Sequence, residues 1–122
     1  MNTSVTEVVA DHPRVVRGLL NIAHALDHLF LLIFAAAVST ISADMGLAQW
    51  QDLMPYGAGA FFMFGLGSLP AGRLGDMWGR RSMMLVFFFG IGAAAILTAF
   101  AKTPWQLAVC LTLIGVFAAI YH

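Results

Sequence analysis

Four long apolar runs, separated by short polar segments, dominate this sequence and constrain its fold. They cover residues 18–41, 53–74, 82–100 and 105–121, and each is close to the roughly 20 residues that a helix needs to cross a bilayer. The chain is 61% apolar and only 10% charged, whereas soluble domains carry about 25% charged residues. We therefore expect an all-α, polytopic membrane protein with four transmembrane helices within residues 18–122, preceded by a cytoplasmic N-terminal segment, residues 1–17.

The basic residues predict the orientation of these helices. Only Lys102 falls on one side of the predicted membrane. The residues on the other side are Arg14, Arg17, Arg73, Arg80 and Arg81. Because cytoplasmic loops carry an excess of Lys and Arg, we expect the N-terminus and the segment 72–81 to face the cytoplasm.

Composition also excludes several classes of function. The net charge is zero, so no basic surface is available for nucleic acid. Cys110 is the single cysteine, which excludes an intrachain disulfide and a cysteine metal cluster. No nucleophile with a paired base and no phosphate-binding loop is present. The sequence therefore predicts a protein that is not an enzyme and needs no cofactor.

Polar residues interrupt the first apolar run at Asn21, His24, Asp27 and His28. On a helix they share an arc of roughly 120°, and Asp27 and His28 lie roughly 14–15 Å past Gly18, near the bilayer midplane. A charged group there costs at least about 2.5–3.5 kcal/mol, so it should face a cavity or a partner. We expect these four residues to couple the binding of protons and substrate.

Two other interpretations of this cluster remain open. The residues can instead form a polar contact that holds the first helix against another helix. Alternatively, His24 and His28, four residues apart with Asp27 nearby, can share a metal ion, although His122 is the one further ligand that the sequence offers. No metal site is predicted on this basis. His122 itself is either a cavity residue or an interfacial histidine.

Small residues and prolines predict how the helices meet. Ser68 with Gly72, and Gly90 with Ala94, have the spacing that permits close helix crossing in lipid. Pro70 is expected to kink the second helix, and Pro104 suits the first turn of the fourth.

A charged, glycine-rich segment, Gly72–Arg81, separates the second and third runs, and we expect it to be a short hinge. Its glycines at 72, 75 and 79 allow two helix ends to approach closely. Asp76 can accept hydrogen bonds from Arg80 or from the free N–H groups of a helix start.

This segment resembles the signature loop between the second and third helices of the major facilitator superfamily of transporters. Met77 departs from the signature, because a basic residue is usual at that position. The matching positions are Gly72, Leu74, Gly75, Asp76, Gly79, Arg80 and Arg81. The resemblance implies the start of a twelve-helix fold that works by alternating access. It further implies that Gly72, Asp76, Gly79, Arg80 and Arg81 take part in a cytoplasmic gate.

Within the superfamily, the cluster Ala23–His28 resembles that of fosmidomycin-resistance-type efflux proteins. Tyr121 and His122 match the start of a second feature of those proteins, an aromatic-histidine-proline sequence. Many drug/proton antiporters carry an arginine in the fourth helix. The equivalent segment of this chain, Leu111–Gly115, has no arginine and shares only the glycine with them.

The resemblance implies transport of a small solute, coupled to protons, across the inner membrane of a bacterium. The chain is expected to be an N-terminal fragment that does not transport alone and needs the missing C-terminal helices or an oligomeric partner. One alternative is a four-helix oligomeric transporter of the small multidrug-resistance kind. Such proteins often insert into the membrane in both orientations, and the uneven distribution of basic residues argues against that. Another is a membrane interaction subunit that does not transport.

Overall fold

The computed structural model describes residues 13–121, and within this range the chain forms four α-helices and no strand. Their bounds are α1, Pro13–Asp44; α2, Ala58–Trp78; α3, Arg80–Ala99; and α4, Pro104–Ala119. Two short 3-10 turns, Trp50–Asp52 and Met54–Gly57, lie between α1 and α2. The all-α fold is confirmed. Of the predicted N-terminal segment, residues 1–12 lie outside the described range, and the remainder belongs to α1.

By length and composition, α1 and α3 are long and apolar enough to cross a membrane. Helix α4 is also apolar but has only 16 residues. Many large apolar side chains on the helix surfaces are exposed, including Phe62, Leu69 and Phe89. An exterior of this kind is stable in lipid and unfavourable in water.

The helices alternate in direction. Gly59 faces Thr112 and Gly67 faces Ala119, so α2 and α4 run parallel. Helix α3 runs in the opposite direction, because one residue joins it to α2. Helix α1 is antiparallel to α4, since its beginning lies beside Tyr121, just past the end of α4.

Helix α4 lies at the centre of the bundle and packs closely on α2. A side chain added at Gly115 would overlap the main-chain carbonyl of Ala60, and one added at Gly67 would come within 2.9 Å of the Ala119 methyl. Small residues permit this close approach. It matters because helices in lipid have no hydrophobic drive to associate and are held together by close packing.

Within residues 13–121, no helix crosses closely at Ser68 and Gly72. Gly72 is exposed with no neighbouring atom within 4 Å of its Cβ position, and the Ser68 hydroxyl donates to the carbonyl of Gly65 within α2. By contrast, the predicted face at Gly90 and Ala94 packs as expected. Gly90 lies against the Phe117 ring of α4, and Ala94 is buried.

The prediction for Pro104 is confirmed, and the predicted kink at Pro70 stays a prediction. Pro70 lies inside α2, which continues to Trp78, and Pro104 is in the first turn of α4. The Thr103 hydroxyl caps α4 by accepting a hydrogen bond from the Gln106 amide at 3.3 Å. This cap satisfies one of the N–H groups that a helix start leaves without a partner.

Candidate functional site

One stripe of α1 is buried, and it carries a single carboxylate. The buried residues recur every three or four positions: Ala23, Asp27, Leu31, Phe34, Val38 and Ser42. Asp27 is 0% exposed, and among residues 13–121 it is the only buried side chain that can carry a charge. An acidic group in this stripe is expensive to keep in an apolar bundle, which marks it as a candidate functional residue.

His24 and His28 lie beside this stripe on an exposed face of α1. Their Nε2 atoms are 3.2 Å apart, and their rings meet edge to face with centroids separated by 4.6 Å. In such a contact one ring must donate through a protonated Nε2 while the other accepts through a bare Nε2. Which ring donates depends on the tautomers of the two histidines.

Tyr121 connects the histidine pair to the rest of the bundle. Its hydroxyl donates a hydrogen bond to the main-chain carbonyl of Leu20 in α1. Its ring lies 5.5 Å from the His24 ring and 5.3 Å from the Phe87 ring of α3. One side chain thus joins α1, α3 and the end of α4.

The structure divides the predicted cluster into two groups. Asn21, His24 and His28 share the exposed face, whereas Asp27 is buried. The reason is geometric. Successive helical residues are about 100° apart, which places Asp27 at the edge of the predicted arc. At that edge the arc overlaps the buried stripe. The described residues therefore do not form a single cavity that all four side chains share.

Tyr121 was not predicted as a site residue. The available signal was its position at the end of an apolar run, directly before a histidine. The predicted cavity residue His122 lies outside the described residues. Within residues 13–121, no group of three or more His, Cys, Asp or Glu side chains is placed to hold a metal ion.

The predicted ten-residue hinge is wrong, because helix α2 continues through most of it. Gly72 and Asp76 belong to α2, and Gly79 alone separates α2 from α3. The Gly79 amide donates to the Gly75 carbonyl at 3.0 Å, and its own carbonyl accepts from the Met83 amide at 3.2 Å. Gly79 has φ +81° and ψ 154°, a conformation that is essentially restricted to glycine.

Asp76, Arg80 and Arg81 surround this turn and are exposed. Within the described part of the chain, no ion pair joins Asp76 to Arg80. Asp76 lies in the last turn of α2, near the negative end of the helix dipole, where a carboxylate is disfavoured. Its charge is therefore available to a positive group on another element.

The two ends of the bundle differ in charge. The described arginines lie at the end that holds Tyr121, whereas Asp44 and Lys102 lie at the opposite end. There, residues of α1, α4 and the C-terminal part of α3 line a cavity of about 540 Å³. Its lining is mainly apolar and includes Phe30, Phe34, Ile41, Leu107, Leu111 and Ile114.

Alternating apolar helices, a buried carboxylate in the first of them and a one-residue turn between charged residues after the second agree with the fold of the major facilitator superfamily. The chain belongs to the sugar (and other) transporter family, whose model matches residues 57–121, more than half of the sequence.

One curated relative is similar over most of the chain. It is described as "Putative metabolite transport protein YaaU" from Escherichia coli (strain K12), and it is 32% identical over 92 residues. The match covers 75% of this chain but 20% of that protein, so the chain spans about a fifth of the length of this relative. No solved structure matches the chain. The resemblance to fosmidomycin-resistance-type proteins stays a prediction.

Proposed function

We propose that this chain forms the first four helices of a proton-coupled secondary transporter that moves a small polar metabolite, such as a sugar, by alternating access. The observation that carries the proposal is the complete burial of Asp27 in a membrane helix, beside a pair of contacting histidines. Ionisable groups are rare inside a membrane protein because placing them there is costly, and by default they mark ion or substrate pathways.

The exposed and buried parts of the cluster have different roles in this proposal. His24 and His28 lie on the exposed face of α1 and can exchange protons with water in a central cavity. Asp27 lies behind them and carries the coupled proton. Asn21, one turn before His24 on the same face, offers both a donor and an acceptor to a polar solute.

The turn at Gly79 serves as the cytoplasmic gate in this proposal. Asp76 lacks an ion pair with Arg80, and its exposed carboxylate is disfavoured at the end of α2. We infer that it binds a positive helix end or a basic residue in the other half of the transporter. Gly72, Gly79, Arg80 and Arg81 shape and orient that contact.

The substrate class is inferred from the family and from the printed name of the relative. Because the chain spans about a fifth of that relative, most of a substrate site would come from other helices. We therefore expect the 122-residue chain alone not to transport in proteoliposomes. We propose that the arginine-rich end and the N-terminus face the cytoplasm, at the inner membrane of a bacterium, because cytoplasmic segments carry an excess of Arg and Lys.

The decisive experiment measures proton movement in inside-out membrane vesicles that contain the full-length transporter. Sugars and other metabolites are added, and a pH-sensitive dye reports solute-driven proton flux. Asp27→Asn is expected to abolish this flux. Ser42→Ala is the matched control, because Ser42 is the other buried polar residue of the same α1 stripe, and it should leave the flux unchanged. Undiminished flux in Asp27→Asn would overturn the proton role of Asp27.

A non-transporting interaction subunit is the remaining alternative, since the family match disfavours a transporter of the small multidrug-resistance kind. Co-expression with the remaining helices of the transporter distinguishes the two. Restored solute movement supports the proposal, whereas full assembly of the two parts without any transport supports an interaction subunit.

A further inference from the structure

The cavity at the end of the bundle opposite the arginines has an amphipathic lining that the proposed transport does not use. We propose that it binds one phospholipid of the bilayer, phosphatidylethanolamine, with an acyl chain in the apolar part and the headgroup between Asp44 and Lys102. The inference goes beyond the proposed function, because it concerns a membrane lipid and neither the transported solute nor the coupling ion.

The lining of the cavity changes from apolar to charged along α1. Phe30 and Phe34 belong to its apolar part, whereas Asp44 and Lys102 lie at its charged end. At about 1.5 Å per residue, Phe30 lies roughly 21 Å before Asp44 along the helix. This length is about half of the roughly 40–45 Å that a bilayer measures with its headgroup regions. The cavity therefore matches one lipid molecule that stands in a single leaflet.

The volume of the cavity suits an acyl chain. Because carbon atoms in contact lie about 3.5–4.0 Å apart, an extended methylene chain is roughly 4–5 Å thick and occupies roughly 260–410 Å³ over about 21 Å. The cavity offers about 540 Å³. A helix about 10–12 Å across would occupy roughly 1,600–2,400 Å³ over the same length. Another helix of the transporter can cover the cavity from outside, but it cannot fill it.

The cavity opens on the apolar surface of the bundle. Ile33 lines it and is 48% exposed, and Leu29 and Leu32 on the same helix are exposed beside it. A surface of this kind faces lipid in a membrane. An acyl chain can therefore enter the cavity from the bilayer without passing through water.

The two charged residues match the two charges of the headgroup. Asp44 and Lys102 are exposed, and within residues 13–121 no ion pair joins them. Asp44 is the last residue of α1, where the helix dipole also attracts a cation, and Lys102 lies just before the start of α4, where the dipole attracts an anion. The Lys102 amide donates to Gln106 Oε1 at 2.9 Å and holds the backbone at that start. Lys102 therefore binds the lipid phosphate, and Asp44 binds the lipid ammonium.

The chemistry of the headgroup selects the lipid. The primary ammonium of phosphatidylethanolamine has three N–H groups to donate to a carboxylate, and such charge-assisted hydrogen bonds are the strong ones. The methylated ammonium of phosphatidylcholine has no N–H group. Phosphatidylglycerol has no cation to place beside Asp44.

Native mass spectrometry of the delipidated full-length transporter, titrated with equal amounts of these three lipids, tests the proposal. We expect one phosphatidylethanolamine to be retained in preference, and Asp44→Asn or Lys102→Gln to weaken its binding at least about threefold. Asp52→Asn is the matched control, because Asp52 is exposed between α1 and α2 and does not line the cavity. Retention of the other lipids as strongly as phosphatidylethanolamine overturns the proposal, as do equal effects of Asp44→Asn and Asp52→Asn.

A second pair of variants tests the apolar part of the cavity. Ala37 lines the cavity, whereas its neighbour Ala36 is exposed and does not. The indole of Ala37→Trp should take the space of the acyl chain and abolish the preferential retention of phosphatidylethanolamine. Ala36→Trp adds the same side chain one position earlier and should leave the retention unchanged. Equal retention in the two variants contradicts the proposed cavity.

A measurement on the unchanged transporter decides the question where a variant fails to fold. Phosphatidylethanolamine with a diazirine in its acyl chain is photolysed in the membrane, and the cross-linked peptides are identified by mass spectrometry. Cross-links should concentrate at lining residues such as Ile33 and Leu107. Equal yields at the exposed residues Phe62 and Leu69 overturn the proposal. Absence of cross-links in the cavity also overturns it and shows that another helix covers the opening.

Discussion

The hydroxyl of Tyr121 donates a hydrogen bond of 2.5 Å to the main-chain carbonyl of Leu20, which lies 101 positions earlier in the sequence. The bond joins the beginning of α1 to the end of α4 and places the Tyr121 ring against His24. The candidate site therefore depends on a contact between the two ends of the described chain, although most of its polar residues belong to one helix.

Replacing Tyr121 tests this connection. Tyr121→Phe keeps the ring contacts and removes the donor, so we expect a loss of about 0.5–1.5 kcal/mol of unfolding free energy. Tyr121→Leu also removes the aromatic contacts with His24 and Phe87 and should lose more. Circular dichroism during unfolding in mixed micelles measures both changes. Equal losses in the two variants would show that the ring contacts contribute nothing.

Gly115→Ala tests the close approach of α2 and α4. The new methyl group would overlap the main-chain carbonyl of Ala60, and a helix backbone cannot yield as a side chain can. Overpacking of this kind destabilises a core by about 1–3 kcal/mol or more. Gly72→Ala is the control, since its Cβ position is open. The same unfolding assay checks both variants, and an unaffected Gly115→Ala protein would contradict the α2–α4 packing.

Gly79→Ala tests the turn between α2 and α3. Alanine is strained at φ +81° and ψ 154°, and such strain costs about 1–3 kcal/mol. Gly75→Ala lies one turn earlier in regular helix, with its nearest new contact at 3.9 Å, and should gain up to about 1 kcal/mol from helix propensity. Thermal unfolding should therefore shift in opposite directions for the two variants. A shift in the same direction would contradict the strained turn.

The proposed orientation predicts which turns are accessible from outside the cell. In a Cys110→Ser background, single cysteines are introduced by Ser82→Cys at the start of α3 and by Gln49→Cys between α1 and α2. An impermeant maleimide added to intact cells should label the cysteine at position 49 and not the one at 82. Inside-out vesicles should give the reverse. Labelling of position 82 in intact cells would invert the topology.

The helices could be predicted from the sequence because apolar runs of this length have few alternatives in a membrane. Their ends were less certain, and the segment Gly72–Arg81 shows why. Charge and glycine content both indicate a loop there, but neither interrupts a helix by itself. Only Gly79 combines a required positive φ with a change of chain direction, and no local pattern distinguishes it from Gly72 or Gly75.

The candidate site could be predicted only in part. The four polar residues of α1 were identified from their cost in lipid, but the burial of Asp27 depends on which face of α1 packs on the bundle. That choice is set by residues far away in sequence, such as Phe34 against Gly57 and Tyr121 against Leu20. The small-residue crossing was misplaced for the same reason, since Gly115 is small where Ala60 approaches it and Gly72 faces no neighbour.

The bond between Tyr121 and Leu20 also governs when the bundle can close during synthesis. A ribosome adds about 5–20 residues per second, so it adds Leu20 roughly 5–20 s before Tyr121. Throughout that interval the Leu20 carbonyl lacks its partner beyond the end of α4. The contact that joins the two ends of the described bundle therefore forms only after all four helices have been synthesised.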